Sequence, residues 1–422
     1  MNTADSQSRD FLWGAATAAH QIEGHQRNNW TEWEKDHIED WMATAESRYG
    51  DIPAWPKVKT QAEERSNYIN GLACDHFRRY PEDIALMQEL ELNSFRFSIE
   101  WSRIEPKPGK FDKAAVEHYR QVLLALHEAG ITPFVSLHHF SDPTWLEAAG
   151  GWHGREFPEL FARYARYVST ELGDLVEFWA TFNEPESYLI SRYLGSPLWP
   201  GWPHQEKSFL KYLLARRRFV AAHKAAYRVM KRQRPLAQIG FTHSIVLFEA
   251  GNWWLKPVAW ALDYNGGSGK FRHTKGAQDF LGVQYYTRAH FRARVARLRQ
   301  WEVPAPAEQR SDFGWEIYPE GLYKITQKLK RYGLPMYITE NGIADAEDKR
   351  RADFITRHVA AMQRSMADGA DIRGYFYWSL LDNYEWSTGY WPRFGLVQVD
   401  RQDQKRTIRT SAYVYRDIIR KN

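Results

Sequence analysis

The chain has 422 residues, 43% of them hydrophobic, with a formal net charge of +5 and a sequence pI near 9.0. Its length admits two or three domains or one α/β barrel with insertions, and a single cysteine, Cys74, excludes a disulfide-stapled scaffold and fits a reducing cytosol. No apolar run is long enough to span a bilayer and no apolar segment follows a basic N-terminal region, so the expectation is a cytoplasmic protein with no signal peptide and no membrane partner.

Apolar, β-rich runs alternate with helix-periodic ones along the chain. Strands are expected at 11–18, 94–101, 132–139, 177–185, 239–244, 279–287, 335–342 and 374–382. Helices are expected at 75–92, 113–129, 158–172, 210–233, 320–332 and 349–368, with a last one at 410–421. Gly130, Gly173, Gly333 and Gly369 fall just past periodic runs, where a helix C-terminus favours glycine. Most strands are apolar along their whole length, as when both faces of a parallel sheet are covered. Eight strands with helices between them point to a single-domain (β/α)8 TIM barrel. An open doubly wound sheet is the alternative, but no glycine-rich nucleotide loop supports it. Active-site loops are expected at 24–71, 245–277 and 301–313, the stretch 263–277 reading as a Gly- and Lys-rich loop and residues 1–10 as disordered.

The basic residues are spread out. The densest groups, Arg216-Arg217-Arg218 and Arg292, Arg294, Arg297 and Arg299, read as solvated faces, so no nucleic-acid partner is expected. Aromatic residues make up 15% of the chain, with 19 Trp and 23 Tyr, and their rings suit the apolar faces of sugars as well as a core. Trp13, Trp101 and Trp179 read as core filling, and Asp382 and Asn383 as turn or cap residues after the last strand.

In a barrel of this kind chemistry collects at the C-terminal ends of the strands. There stand His20, Gln21 and Glu23; Arg96; His138-His139-Phe140; Asn183-Glu184; Gln284-Tyr285-Tyr286; Glu340-Asn341-Gly342; and Trp378 through Trp386. A carboxylate at the end of a buried strand is costly unless it is paired or used. Glu184 and Glu340 occupy comparable ends of the fourth and seventh strands and can face each other across the mouth. Paired carboxyl groups flanking a bond are the equipment of glycoside cleavage, one ionised and one protonated. Arg96 can keep one of them ionised, and Asn183 can bind a sugar hydroxyl. Asn341-Gly342 reads as the turn that leads the chain away. His20, His138 and His139 match no common metal spacing, and neither metal nor cofactor is expected.

The run from Phe11 to Gly24, the stretches Phe95-Arg96-Phe97-Ser98-Ile99, Thr181-Phe182-Asn183-Glu184-Pro185 and Thr339-Glu340-Asn341-Gly342, and the run from Trp378 to Trp386 resemble glycoside hydrolase family 1, the β-glucosidase-type retaining enzymes. The resemblance covers nearly the whole chain. It implies Glu340 as nucleophile and Glu184 as general acid/base, supported by Arg96 and Tyr286. It implies Gln21, His139, Asn183, Glu385 and Trp386 as binders of sugar hydroxyls, Trp378 as the platform beneath the sugar, and a cis Trp378–Ser379 peptide. The implied activity is exo-hydrolysis of a non-reducing terminal β-D-glucosyl, β-galactosyl or β-fucosyl residue from a small β-glycoside or β-linked oligosaccharide. A transglycosylase using the same intermediate, or a non-catalytic carbohydrate-binding relative, is the alternative. The chain departs from the family pattern at Gln284, usually Asn, at Phe140, often Trp, and in a segment from Trp253 to Ala277 that looks shortened. Members acting on 6-phosphosugars usually carry Ser in place of Glu385, and Lys and Tyr a few residues on. Here Glu385, Pro392 and Phe394 imply an unphosphorylated sugar.

Overall fold

The computed structural model describes residues 11–195, 201–291 and 305–422. The expected disordered start at 1–10, the basic group Arg292 to Arg299 and the first part of the expected loop 301–313 lie outside the described residues.

Eight parallel strands close into a barrel in chain order: β1 (Leu12–Ala16), β2 (Ser94–Ser98), β3 (Thr132–Ser136), β4 (Phe178–Asn183), β5 (Gln238–Ser244), β6 (Leu281–Gln284), β7 (Met336–Asn341) and β8 (Ile372–Trp378). Every strand falls within or beside its expected range, and the open doubly wound alternative is excluded by the β1–β8 pairing that closes the ring. Inside the barrel Phe134, Phe178, Phe280, Tyr337 and Phe376 meet across strands, with ring centroids 5.3–5.8 Å apart. These five buried rings fill the lumen with apolar volume, as a packed barrel requires.

The outer ring includes His76–Glu89, Lys113–Glu128, Phe157–Leu172, Phe209–Gln233, Pro319–Leu329, Arg351–Ala367 and Thr410–Ile419. The helix Phe157–Leu172 turns an i, i+4, i+7 row of Phe157, Phe161, Tyr164 and Val168 onto the sheet. Between β5 and β6 no long helix covers the barrel among the described residues. A short 3-10 turn, Lys270–Thr274, packs there instead, and Phe271 fills the gap 5.1 Å from Phe241. The stretch 263–277 is therefore not the loop expected of it: its first residues close a helix, Lys256–Gly266, and Lys270, Phe271 and Thr274 are buried.

The excursion after β1 folds into short helices, as expected, at Asn29–Ala43, Ala45–Tyr49 and Trp55–Ala62. Asn28 caps the first, accepting from the backbone of Trp30 and Thr31. The excursion clasps the segment after β8: Asn67 donates to the Thr388 carbonyl, and Tyr384 donates to that of Tyr68. It thereby fixes the loop that carries Glu385 and Trp386.

Candidate active site

Strand register assembles the site. In β6 and β7 Gln284 lies beside Glu340, and in β4 and β5 Asn183 lies beside Thr242. Both pairings follow a register shift, the local irregularity that re-aims side chains at a barrel rim. The expected Asn341-Gly342 turn is corrected by the structure. The strand continues through Asn341, whose amide donates to the Tyr285 carbonyl and accepts from the Tyr375 hydroxyl at 2.7 Å. Gly342 is needed because a Cβ there would lie 1.8 Å from the Trp378 carbonyl oxygen.

Glu340 is buried and accepts three side-chain donors: Arg96 at 2.5 Å and Gln284 at 2.7 Å on Oε1, and the Tyr286 hydroxyl at 2.6 Å on Oε2. Burial raises its pKa, while the Arg96 charge and the bonds from Tyr286 and Arg96 oppose that rise. Donors aimed at both oxygens, one of them a guanidinium, favour the ionised carboxylate. Arg96 is itself fully buried and also donates to Asn183 at 2.5 Å and Thr242 at 3.2 Å. Gln284, the departure from the family's Asn, reaches both Glu340 and the Asn183 oxygen, each at 2.7 Å. The longer side chain thus ties the carboxylate on β7 to the end of β4.

Glu184 follows β4 directly, with φ 39° in the left-handed region, a conformation that costs an L-residue about 1–2 kcal/mol. Its N–H is anchored to the Thr242 carbonyl at 2.9 Å, and Pro185 starts the helix Pro185–Tyr193 behind it. The carboxyl group meets the hydroxyls of Ser187 and Ser244, while Arg96 acts through its charge. Burial first, then the charge of Glu340, push its pKa up to about 8. Two carboxyl groups at one mouth therefore stand in opposite environments, the arrangement that separates an acid from a nucleophile.

A third carboxyl group joins them. Burial, then the Glu340 charge, push Glu385 up to about 8 as well. Gln21 donates to it at 3.3 Å and is held by the Asn383 side chain and the Tyr384 carbonyl, both at 2.9 Å. Asn383, expected to be a turn residue, also donates to Ser379 at 2.8 Å and so fixes the amide of Gln21. Asp382 does serve the turn, accepting from the Gly395 backbone at 2.9 Å and from Arg409.

An aromatic wall bounds the other side. His139 lies 5.8 Å from Trp378 and 6.0 Å from Trp386, nearly parallel to both, and its Nε2 is 2.9 Å from the Asn183 amide nitrogen. Burial, then the Arg96 charge, hold its imidazole well below the usual range, hence neutral. The Trp378–Ser379 peptide is cis. Behind Trp386 stand Phe140 at 5.2 Å and Trp30 at 5.0 Å, with Trp202 5.0 Å from each of those two rings. Trp30 and Trp202 were not singled out from the sequence, because they come from segments with no motif and meet only in space.

The remaining histidines have partners of their own. His20 stacks 5.3 Å from Trp386 with Nδ1 at Gln26, and His138 Nε2 contacts Asp142 at 3.0 Å. No group of three metal-ligating side chains converges among the described residues. Trp13, Trp101 and Trp179 are buried in the core, as expected. Cys74 is buried with Sγ 3.1 Å from the Asp382 carbonyl, and burial pushes its thiol up.

A family model described as Glycosyl hydrolase family 1 matches residues 4–250 and 266–422. The chain belongs to glycosyl hydrolase family 1. It is similar to Beta-glucosidase A of Thermotoga maritima, 31% identical over 98% of this chain and 97% of that one. A 6-phospho-beta-galactosidase of Staphylococcus epidermidis is 29% identical over 97% of each chain. The solved structure of a beta-glucosidase from Thermotoga maritima in complex with deoxynojirimycin is 28% identical, with a TM-score of 0.82 over 98% of both chains. The family resemblance and the barrel expected from the sequence are thus borne out, and the chain is a retaining β-glycosidase of this family.

The glycosidase stores an alkaline liability beside its site. Glu34 accepts from the Asn70 backbone at 3.3 Å and from Tyr384 at 3.4 Å, and burial pushes it up to about 7. A carboxyl group whose folded pKa is raised contributes full stability below its unfolded value near 4.5, and loses it as pH rises through about 7. Glu34→Gln is therefore expected to raise Tm at pH 8 relative to the parent and to leave it unchanged near pH 4.5. The gain at alkaline pH is of order 3 kcal/mol, at about 1.4 kcal/mol per pKa unit. Equal Tm differences at both pH values in thermal melts would refute the assignment.

Proposed function

We propose that this glycosidase removes a non-reducing terminal β-D-glucosyl residue, or its galacto or fuco counterpart, by double displacement. The observation that supports it is the contrast between Glu340, held by Arg96, Gln284 and Tyr286, and Glu184, held by the hydroxyls of Ser187 and Ser244 and raised to about 8. Glu340 attacks the anomeric carbon while Glu184 gives its proton to the leaving oxygen. With the proton gone and a glycosyl ester on Glu340, the charge that raised Glu184 is also gone. Glu184 then accepts a proton from water, whose oxygen attacks the same carbon and frees Glu340. Gln21, His139, Asn183, Glu385 and Trp386 hold the sugar hydroxyls, and Trp378 supports the apolar face of the ring. Two inversions give net retention. Hydrolysis of an aryl β-D-glucoside followed by proton NMR is expected to show the β-anomer of glucose first. The α-anomer first would replace this mechanism with single displacement.

The likeness to a 6-phospho-beta-galactosidase makes phosphorylation the specificity question. Glu385 places a carboxyl group among the hydroxyl binders, and Phe394 lies in an aromatic cluster 5.9 Å from Phe313 and 6.4 Å from Tyr286. A phosphate there meets apolar rings and a carboxyl group already pushed up to about 8, which its charge would keep protonated, and burying an anion in such surroundings costs several kcal/mol. The expected kcat/KM for a nitrophenyl β-D-glucoside exceeds that for its 6-phosphate by about hundredfold or more. Preference for the phosphorylated substrate would overturn this reading while leaving the catalytic roles intact.

A further inference from the structure

The helix Lys256–Gly266 and the turn Trp253–Leu255 before it carry apolar side chains that the barrel does not bury. Trp253 is 79% exposed, Trp260 66% and Val258 52%, and Trp254, Leu262 and Tyr264 are exposed too. Among the described side chains of the helix, only Ala259 and Asp263, one turn apart, are buried. The helix therefore stands proud of the surface, apolar round most of its circumference, where a globular surface helix keeps one apolar stripe for the core. The barrel does not call for it: the family match passes from residue 250 to residue 266. It leaves β5 through a short strand, Leu247–Ala250, and runs back beside the barrel, where Asp263 meets Lys328 and the following Ser268 accepts from Arg331, close to the start of β7.

Beneath the helix runs an open groove of about 580 Å³, distinct from the carboxylate site and lined in part by Lys256, Trp260, Lys328 and Arg331. Its two acids are already engaged: Glu249 with Arg288 at 2.7 Å and Lys324 at 2.6 Å, Asp263 with Ser268 at 2.8 Å and Lys328 at 3.4 Å. Lys256 and Arg331 have no carboxylate within ion-pair distance among the described residues.

We propose that this surface docks the enzyme onto an anionic lipid bilayer, with Trp253, Trp254 and Trp260 at headgroup depth and Lys256 and Arg331 meeting lipid phosphates. Trp and Tyr settle where an apolar medium meets water, and each basic group near an anionic leaflet adds about 1 kcal/mol of attraction. The cationic groups at this surface are complementary to an anionic leaflet, whereas a second copy of the chain, itself of net charge +5, would bring like charge to them. No helix among the described residues is long and apolar enough to cross a membrane, so the attachment is peripheral. The sequence expectation of no membrane partner rested on spans alone and did not address such a surface.

The test uses the full chain and sedimentation with phosphatidylglycerol or phosphatidylcholine vesicles. The parent is expected to partition onto phosphatidylglycerol at least about tenfold more strongly than onto phosphatidylcholine, with added salt weakening it. The triple change Trp253→Ala, Trp254→Ala, Trp260→Ala is expected to reduce that partition by about tenfold or more. Lys256→Glu with Arg331→Glu should remove the preference for the anionic lipid. All these side chains lie outside the core, so unchanged Tm in each variant confirms folding independently of any activity. A parent that stays in the supernatant, or a triple variant that partitions equally, overturns the proposal. So does a concentration-dependent dimer that the triple variant disperses without any vesicle binding, which would make the face a self-interface.

Discussion

Glu340→Ala is expected to lower kcat by roughly 10⁴-fold or more on any β-glycoside, whatever the leaving group. On the proposed mechanism the reaction then lacks the group that forms the covalent intermediate. Glu385 also feels the charge of Glu340, but it is held by Gln21, which donates to the Asn383 side chain and the Tyr384 carbonyl as well. The same substitution leaves Arg96 buried opposite an empty site, and an uncompensated buried charge destabilises by about 3–5 kcal/mol. Glu340→Gln, which keeps the volume and one acceptor oxygen, therefore accompanies it as a folding control. Added azide should restore turnover to Glu340→Ala and yield the α-glycosyl azide, because a single displacement from the vacated side inverts the β-linkage. Hydrolysis at the parent rate by either folded variant would remove Glu340 from the mechanism.

Glu184→Gln should lower the rate by about 10²–10⁴-fold for alkyl and cellobiosyl leaving groups, the contribution of a positioned general acid. A dinitrophenyl leaving group departs without a proton, so glycosylation with that substrate should survive and release of the sugar should become slow. The parent's activity is expected to fall as pH rises through about 8, where Glu184 loses its proton. The acid limb belongs to Glu340, which must be ionised and which burial places above the ordinary carboxylate range. Because Glu385 is also pushed to about 8, the variant discriminates between the two. Loss of the alkaline limb in Glu184→Gln assigns the limb to Glu184. An alkaline limb with an unchanged midpoint would assign it to Glu385 and its sugar-binding role.

Much of this architecture was legible in the residues. Eight apolar runs at regular spacing are enough to place eight strands, because a parallel strand buried on both faces has no polar alternation to obscure it. The ends were less legible. The second expected strand, 94–101, stops at Ser98, since Glu100 turns its side chain to cap the short helix Trp101–Ile104. Asn341-Gly342 has the composition of a turn, yet the Asn side chain closes two hydrogen bonds inside the barrel and the Gly yields to a neighbouring carbonyl. The helix Lys256–Gly266 was missed because periodicity reveals a helix only when one face is buried, and this one buries almost none.

The sequence by itself determined the strand order and which chemical groups stand at the strand ends, since both follow from local pattern and from position along the chain. It also carried the family, through motifs that survive as short strings. Only the tertiary structure decided what those groups are. Arg96 and Glu340 are 244 residues apart, and Gln21 and Asn383 are 362 apart. A carboxyl group's protonation depends on burial and on the nearest charges, and both are properties of the closed ring. The ring surrounds Glu340 with three donors and gives Glu184 the hydroxyls of Ser187 and Ser244, and that difference is the basis of the proposed division into nucleophile and acid.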